Sequence, residues 1–119
     1  MMYPISVRGY YADQGSPQDW GKSKQFTTRP AKLAYLNAVN QSGATVYVEL
    51  YDTNDGSDLT AKIPRVLPCP DITTGGYAEW RELDMRSGIF VRAVAAVGGA
   101  LIGGNNVKFD CGYMDHIIL

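Results

Sequence analysis

Ten residues, Ala44–Thr53 (ATVYVELYDT), constrain the fold more than any other stretch of the chain. Val46, Val48 and Leu50 alternate with Tyr47, Glu49 and Tyr51, so one side of an extended backbone is apolar and the other carries two rings and a carboxylate. Successive side chains of a strand point to opposite faces, and this period of two marks a β-strand with one buried face. That face needs a second layer. Gly88–Val97 is the strongest candidate to supply it. Ile89, Val91, Ala93, Ala95 and Val97 share one side, while Phe90, Val94 and Ala96 leave only Arg92 polar on the other. The pattern predicts a central strand covered on both faces.

Weaker segments fill in the sheet. Leu33–Asn40 reads as a strand whose inward phase is ambiguous, and Gln41-Ser42-Gly43 predicts an antiparallel hairpin between it and 44–53. Thr60–Leu67 is apolar enough for a strand, but Pro64 cannot donate to a ladder, which assigns it to an edge or a bulge. Tyr77–Leu83 is a further candidate. Val107–Met114 alternates again, with Val107, Phe109, Cys111 and Tyr113 inward. Short strands separated by Gly/Pro turns, with no helical stripe, predict an all-β fold: an antiparallel β-sandwich, jelly-roll-like.

Met1–Pro30 shows no sustained period and carries turn clusters such as Asp13-Gln14-Gly15-Ser16-Pro17. The expected organisation is therefore an irregular N-terminal arm, residues 1–30, followed by a β-sandwich domain, residues 31–119. The arm holds five aromatics, Tyr3, Tyr10, Tyr11, Trp20 and Phe26, which a disordered linker would not keep. It either folds back on its own domain or docks on a neighbouring subunit; 30 extended residues span roughly 100 Å. The arm has four basic and two acidic side chains against seven and ten in the remainder. The whole chain, at net charge −1, has no general pull toward nucleic acid or anionic lipid.

Candidate chemistry is sparse. The opening MMYPISVRGYY lacks the basic and apolar regions of a signal peptide, so assembly in a reducing cytoplasm is expected, with Cys69 and Cys111 as free thiols. The acidic run Asp52–Asp58 invites a calcium reading but has its glycine one place early for an EF-hand and no glutamate at the twelfth position. His116 is the only histidine and has no serine elbow to serve. Glu79 and Glu82 fall on opposite faces of a strand, which does not suit a general acid–base pair. Gly88–Gly104 is too short for a membrane span and is interrupted by Arg92. The expectation is a protein without catalytic residues, cofactor or metal. The row Tyr47, Glu49, Tyr51, continued by Tyr77 or Trp80, fits three uses: a face covered by the chain's own arm, a subunit interface, or a sugar-stacking platform.

Taken together, AYLNAVNQSGATVYVELYD, IPRVLPCPDITTGGYAEW, and SGIFVRAVAAV followed by VKFDCGYM resemble the small β-sandwich, jelly-roll-like virion structural proteins of tailed bacteriophages. The likeness spans about residues 33–114 and none of the arm. It implies a non-enzymatic virion component, assembled in the host bacterial cytoplasm: a capsid decoration (cement) protein or other minor head protein. Its partners would be other virion proteins, either major capsid or neck/tail subunits, met as a homo-oligomer and without nucleic acid or membrane. Tyr3, Tyr10, Tyr11, Trp20, Phe26, Tyr47 and Tyr51 are the expected partner-binding residues. Deleting Met1–Phe26 is then expected to abolish particle binding and leave the sheets intact. The alternative is a carbohydrate-binding β-sandwich module of a tail fibre or spike.

Overall fold

The computed structural model describes residues 2–12, 23–96 and 106–116, with the backbone path alone for 2–12 and 115–116. They form eight strands: β1 (Met2–Ala12), β2 (Ser23–Thr27), β3 (Ala31–Asn40), β4 (Val46–Tyr51), β5 (Arg65–Cys69), β6 (Tyr77–Met85), β7 (Ile89–Val94) and β8 (Val107–His116). Two four-stranded antiparallel sheets result, ordered β1-β8-β3-β6 and β2-β7-β4-β5. The pairing is nested. The first strand lies against the last, β2 against β7, β3 against β6, and β4 against β5. Every connection except β4–β5 crosses from one sheet to the other. The antiparallel sandwich expected from the alternation is thus present.

Three expectations are corrected. The N-terminal segment is not irregular throughout: residues 2–12 pair with β8, and 23–27 with β7. Removing Met1–Phe26 would therefore take a strand from one sheet and most of a strand from the other. β3 and β4 do not form a hairpin, because they belong to different sheets and residues 41–45 arch between them. The strand sought at Thr60–Leu67 starts at Arg65, so Pro64 precedes it, while Pro68 sits on the edge opposite Tyr47. The loop expected over Gly98–Asn106 and the tail Ile117–Leu119 lie outside the described residues, Asn106 excepted.

The ambiguous phase of β3 has a geometric cause. Ala31 and Leu33 are buried, and so are Leu36, Ala38 and Asn40, which no single alternation allows. The register of β3 against β8 slips between Leu33 and Tyr35, and this bulge resets which residues face inward. The neighbouring β6 resets at the same level. Met85 and Leu83 pack inward, then Trp80 and Ala78, with Glu82 between them at φ +54. Strand β8 keeps one phase, burying Val107, Phe109, Cys111 and Tyr113 as the alternation predicts. Gly112 lies opposite Tyr35, whose ring comes within 2.3 Å of where a Cβ would be, so the ring lies against bare backbone.

Between the sheets, Leu33, Leu36 and Phe109 meet Val48, Leu50, Ile89 and Val91, all at most 1% exposed. Cys69 and Cys111 are both free and fully buried in this core. Burial pushes their thiols up to about 11 and about 12. Neither thiolate forms near neutral pH, and neither sulfur meets solvent. A maleimide or aromatic disulfide reagent is accordingly expected to label no thiol in the native chain and both in urea, as read by intact mass.

The β3–β4 arch is closed by Asn40, which is wholly buried. Its Nδ2 donates to the carbonyls of Ala44 (2.7 Å) and Cys69 (2.8 Å), and its Oδ1 accepts the Ser42 N–H at 2.9 Å. Asp71 braces the same end by accepting the N–H groups of Gly43 (2.7 Å) and Thr73 (3.1 Å).

Candidate partner-binding surface

Tyr47, Glu49 and Tyr51 lie on the outer face of the β2-β7-β4-β5 sheet, in register with Val94, Arg92 and Phe90 of β7. This row is not a free surface. Glu49 is 1% exposed and Tyr51 4%. Arg92 Nε donates to Glu49 Oε1 at 2.5 Å, and its Nη2 to the Tyr51 hydroxyl at 3.2 Å. The Tyr51 hydroxyl donates in turn to Glu49 Oε1 at 3.2 Å. The guanidinium carbon stands 5.4 Å from the Tyr51 ring centroid, and Phe90 packs against that ring at 6.1 Å. Burial, and next the charge of Glu49, hold the Tyr51 phenol above its usual range. A buried carboxylate needs such a set of donors to offset lost hydration. Tyr47, at the end of the row, is half-buried.

The chain covers this face with its own loop. The loop after β4 brings Gly56 so close to Phe90 that the ring lies 2.1 Å from where a Cβ would be. Gln25 of β2 holds the loop. Its Nε2 donates to the carbonyls of Thr27 (2.8 Å), Thr53 (2.8 Å) and Ile89 (3.1 Å), and its Oε1 accepts the Gly56 N–H at 2.9 Å. Asp52 accepts the backbone N–H groups of Arg86, Ser87 and Gly88 at 2.8–3.3 Å, which fixes the β6–β7 turn. Asp55 and Asp58 accept from Ser57 and Thr60. The acidic run is thus occupied with turns, and the described residues contain no group of three or more His, Cys, Asp or Glu placed to hold a metal.

The residues expected to bind partners are scattered. Tyr3, Tyr10 and Tyr11 belong to β1, where the backbone register sets them opposite Asp115, Phe109 and Lys108. Trp20 lies outside the described residues. Phe26 is in the core at 7% exposure, and its carbonyl accepts the Tyr113 hydroxyl at 3.0 Å. Phe26 and Tyr51 are therefore structural, a correction to their expected role. Trp80, offered as an extension of the aromatic row, packs against the core from the other sheet.

Among the described residues three large apolar side chains are exposed: Ile63 (92%), Ile72 (50%) and Tyr77 (49%). Of these only Tyr77 was offered by the sequence pattern, as an extension of the aromatic row, and it lies on the other sheet. Ile63 stands in the loop before β5, just after Ala61 at φ +59 and beside Pro64. Its apolar neighbours made it read as a strand residue. Ile72 lies in a 3-10 turn and Tyr77 begins β6, with its hydroxyl donating to Glu79, which also pairs with Arg81. The nearby sheet edges are guarded. β5 carries Pro68, and β6 shows exposed Arg81, Glu82 and Asp84 with a left-handed residue at Glu82. Such edges resist an added strand, which leaves side-chain contact as the mode these residues suit. No protein-family model matches this chain, and no curated protein is significantly similar to it in sequence.

Proposed function

We propose that the chain is a structural component of a tailed-bacteriophage particle, a capsid decoration (cement) or other minor head protein that holds neighbouring virion subunits together as a homo-oligomer. The observation that supports it best is the nested order β1-β8-β3-β6 facing β2-β7-β4-β5. Eight strands wrapped as two Greek keys make a jelly roll, an architecture found in viral capsid and lectin domains. A fold alone does not choose between those uses. The sequence resemblance favours the first. The lectin-like reading loses its platform, since Glu49 and Tyr51 are buried and Trp80 is packed against the core.

Ile63 tests the reading. A side chain this exposed has almost nothing to lose on substitution, so Ile63→Asp is expected to change stability by no more than about 0.5 kcal/mol. The same change is expected to weaken retention on purified particles by about tenfold or more, the scale of an interface anchor. Co-sedimentation with particles lacking the protein, with mass spectrometry of native particles alongside, measures both points. Absence from native particles, or full retention of an Ile63→Asp/Ile72→Asp/Tyr77→Ala triple variant, would overturn the proposal.

A further inference from the structure

We propose that Asp55–Gly56 is a spontaneous backbone-modification site, converting to an isoaspartyl linkage when its loop opens and kept unreacted in the folded chain by Gln25. Asp55-Gly56 is the one Asp-Gly or Asn-Gly pair in the sequence. In the reaction the Gly56 nitrogen attacks the Asp55 carboxyl carbon. A C–N bond forms, and one carboxyl oxygen leaves as water with the amide proton and the acid proton. Water then adds back to the cyclic imide. Cleavage of the bond between nitrogen and the side-chain carbonyl restores aspartate. Cleavage at the main-chain carbonyl leaves the chain running through the side chain. The water lost is the water regained, and no other reactant is needed.

The labile pair is imposed by packing. Glycine offers the attacking nitrogen no steric cover, and no other residue fits, because the Phe90 ring fills the place of its Cβ. The fold answers with restraint on both reacting groups. The Gly56 N–H is tied to Gln25 Oε1 at 2.9 Å, and Gln25 is itself held by three backbone carbonyls. The Asp55 N–H donates to Thr53 Oγ1 at 3.1 Å, and the Asp55 carbonyl accepts the Asp58 N–H at 3.3 Å. The Asp55 carboxylate accepts the N–H (3.0 Å) and hydroxyl (2.5 Å) of Ser57. Those two donors keep the carboxyl below its ordinary range, as the anion, which is its least electrophilic form. Ring closure needs the Asp55–Gly56 peptide plane to rotate and the carboxyl to leave Ser57, so it requires local opening. The product has one more atom in its backbone and moves Gly56 off Phe90. Ageing at this bond would thus uncover the Tyr51–Phe90 face.

The test is ageing of the full chain at physiological temperature and pH, with isoaspartate counted by isoaspartyl methyltransferase labelling and located by peptide mapping. Folded wild type is expected to accumulate it at residue 55 about tenfold or more slowly than the same chain in urea. Gln25→Ala is expected to be about fivefold or more faster than wild type, the effect of losing hydrogen bonds of ordinary strength. Asp55→Glu, which closes a less favourable ring, should show no signal at this position. Equal rates for folded and urea-treated wild type would overturn the proposal, as would a Gln25→Ala rate equal to wild type. Should Gln25→Ala fail to fold, hydrogen exchange decides in the wild type: a Gly56 amide as fast as a free peptide sinks the idea, and a protected one supports it.

Discussion

Gly88→Ala is expected to cost about 3 kcal/mol or more, a fall in Tm of roughly 10–15 °C for a domain of this size. A Cβ at this position would sit 2.4 Å from the Thr53 carbonyl oxygen and 2.6 Å from that of Thr27. Both obstacles are backbone. Neither can rotate aside as a side chain would, and both belong to elements tied down by Gln25. The methyl group therefore has to push β2 and the loop after β4 away from β7. Gly43→Ala is the useful contrast, with nothing within 4 Å of its Cβ but a φ of +90. That change should cost only about 1 kcal/mol, through backbone conformation alone. Urea melts followed by circular dichroism measure both, and a Gly88→Ala loss below that of Gly43→Ala would show that β2 parts easily from β7.

Asn40→Leu is the second large effect, at about 3 kcal/mol. Leucine keeps the branched shape but is the larger side chain, so some overpacking at this wholly buried site adds to the cost. The other loss is that of Asn40's own hydrogen bonds to the Ala44 and Cys69 carbonyls and to the Ser42 N–H, although the Ala44 carbonyl keeps the Ser42 hydroxyl at 2.9 Å. A buried polar group left without a partner costs about 1–3 kcal/mol, and solvent reaching the arch would rescue part of the sum. Asn40→Asp gives a signed test. Its carboxyl would be buried facing two carbonyl oxygens, which favours the protonated acid and raises its folded pKa above the unfolded value. The folded state then holds a proton that the unfolded chain releases. Relative to wild type, this variant should regain stability as pH falls into the ordinary carboxylate range and lose it as pH rises. A flat difference across that range would mean that water reaches Asn40.

The strands with one unbroken phase were legible from residues alone. Val46-Val48-Leu50 and Val107-Phe109-Cys111-Tyr113 take the places their alternation predicts. So does the doubly apolar run from Ile89 as far as Val94, where the strand expected to reach Val97 ends and leaves Ala95 and Ala96 exposed. β3 and β6 were blurred because bulges at Ala34 and Glu82 shift the inward set by one residue midway, and a pattern search assumes one phase. β1 hides for the same reason, slipping register between Val7 and Tyr10. The Gln41-Ser42-Gly43 turn reads alike whether it joins neighbours in a sheet or crosses between sheets. The deciding contact is Asn40 with Cys69, twenty-nine positions away. The outer row of β4 misled in the opposite sense. Glu49 looks like a solvent residue until Arg92, forty-three positions on, is brought beside it.

The wrapping order also governs how the polypeptide can reach this state. β4 and β5 close the smallest circuit, and each enclosing pair closes a larger one until Met2 meets His116. Loop-closure entropy makes growth outward from the middle the least costly route, and so much distant pairing belongs to domains that take milliseconds to seconds to fold. β8 separates β1 from β3, so the first strand has no neighbour to hydrogen-bond until the eighth has been synthesised. On the ribosome, the N-terminal residues must therefore wait for the far end of the sandwich to emerge.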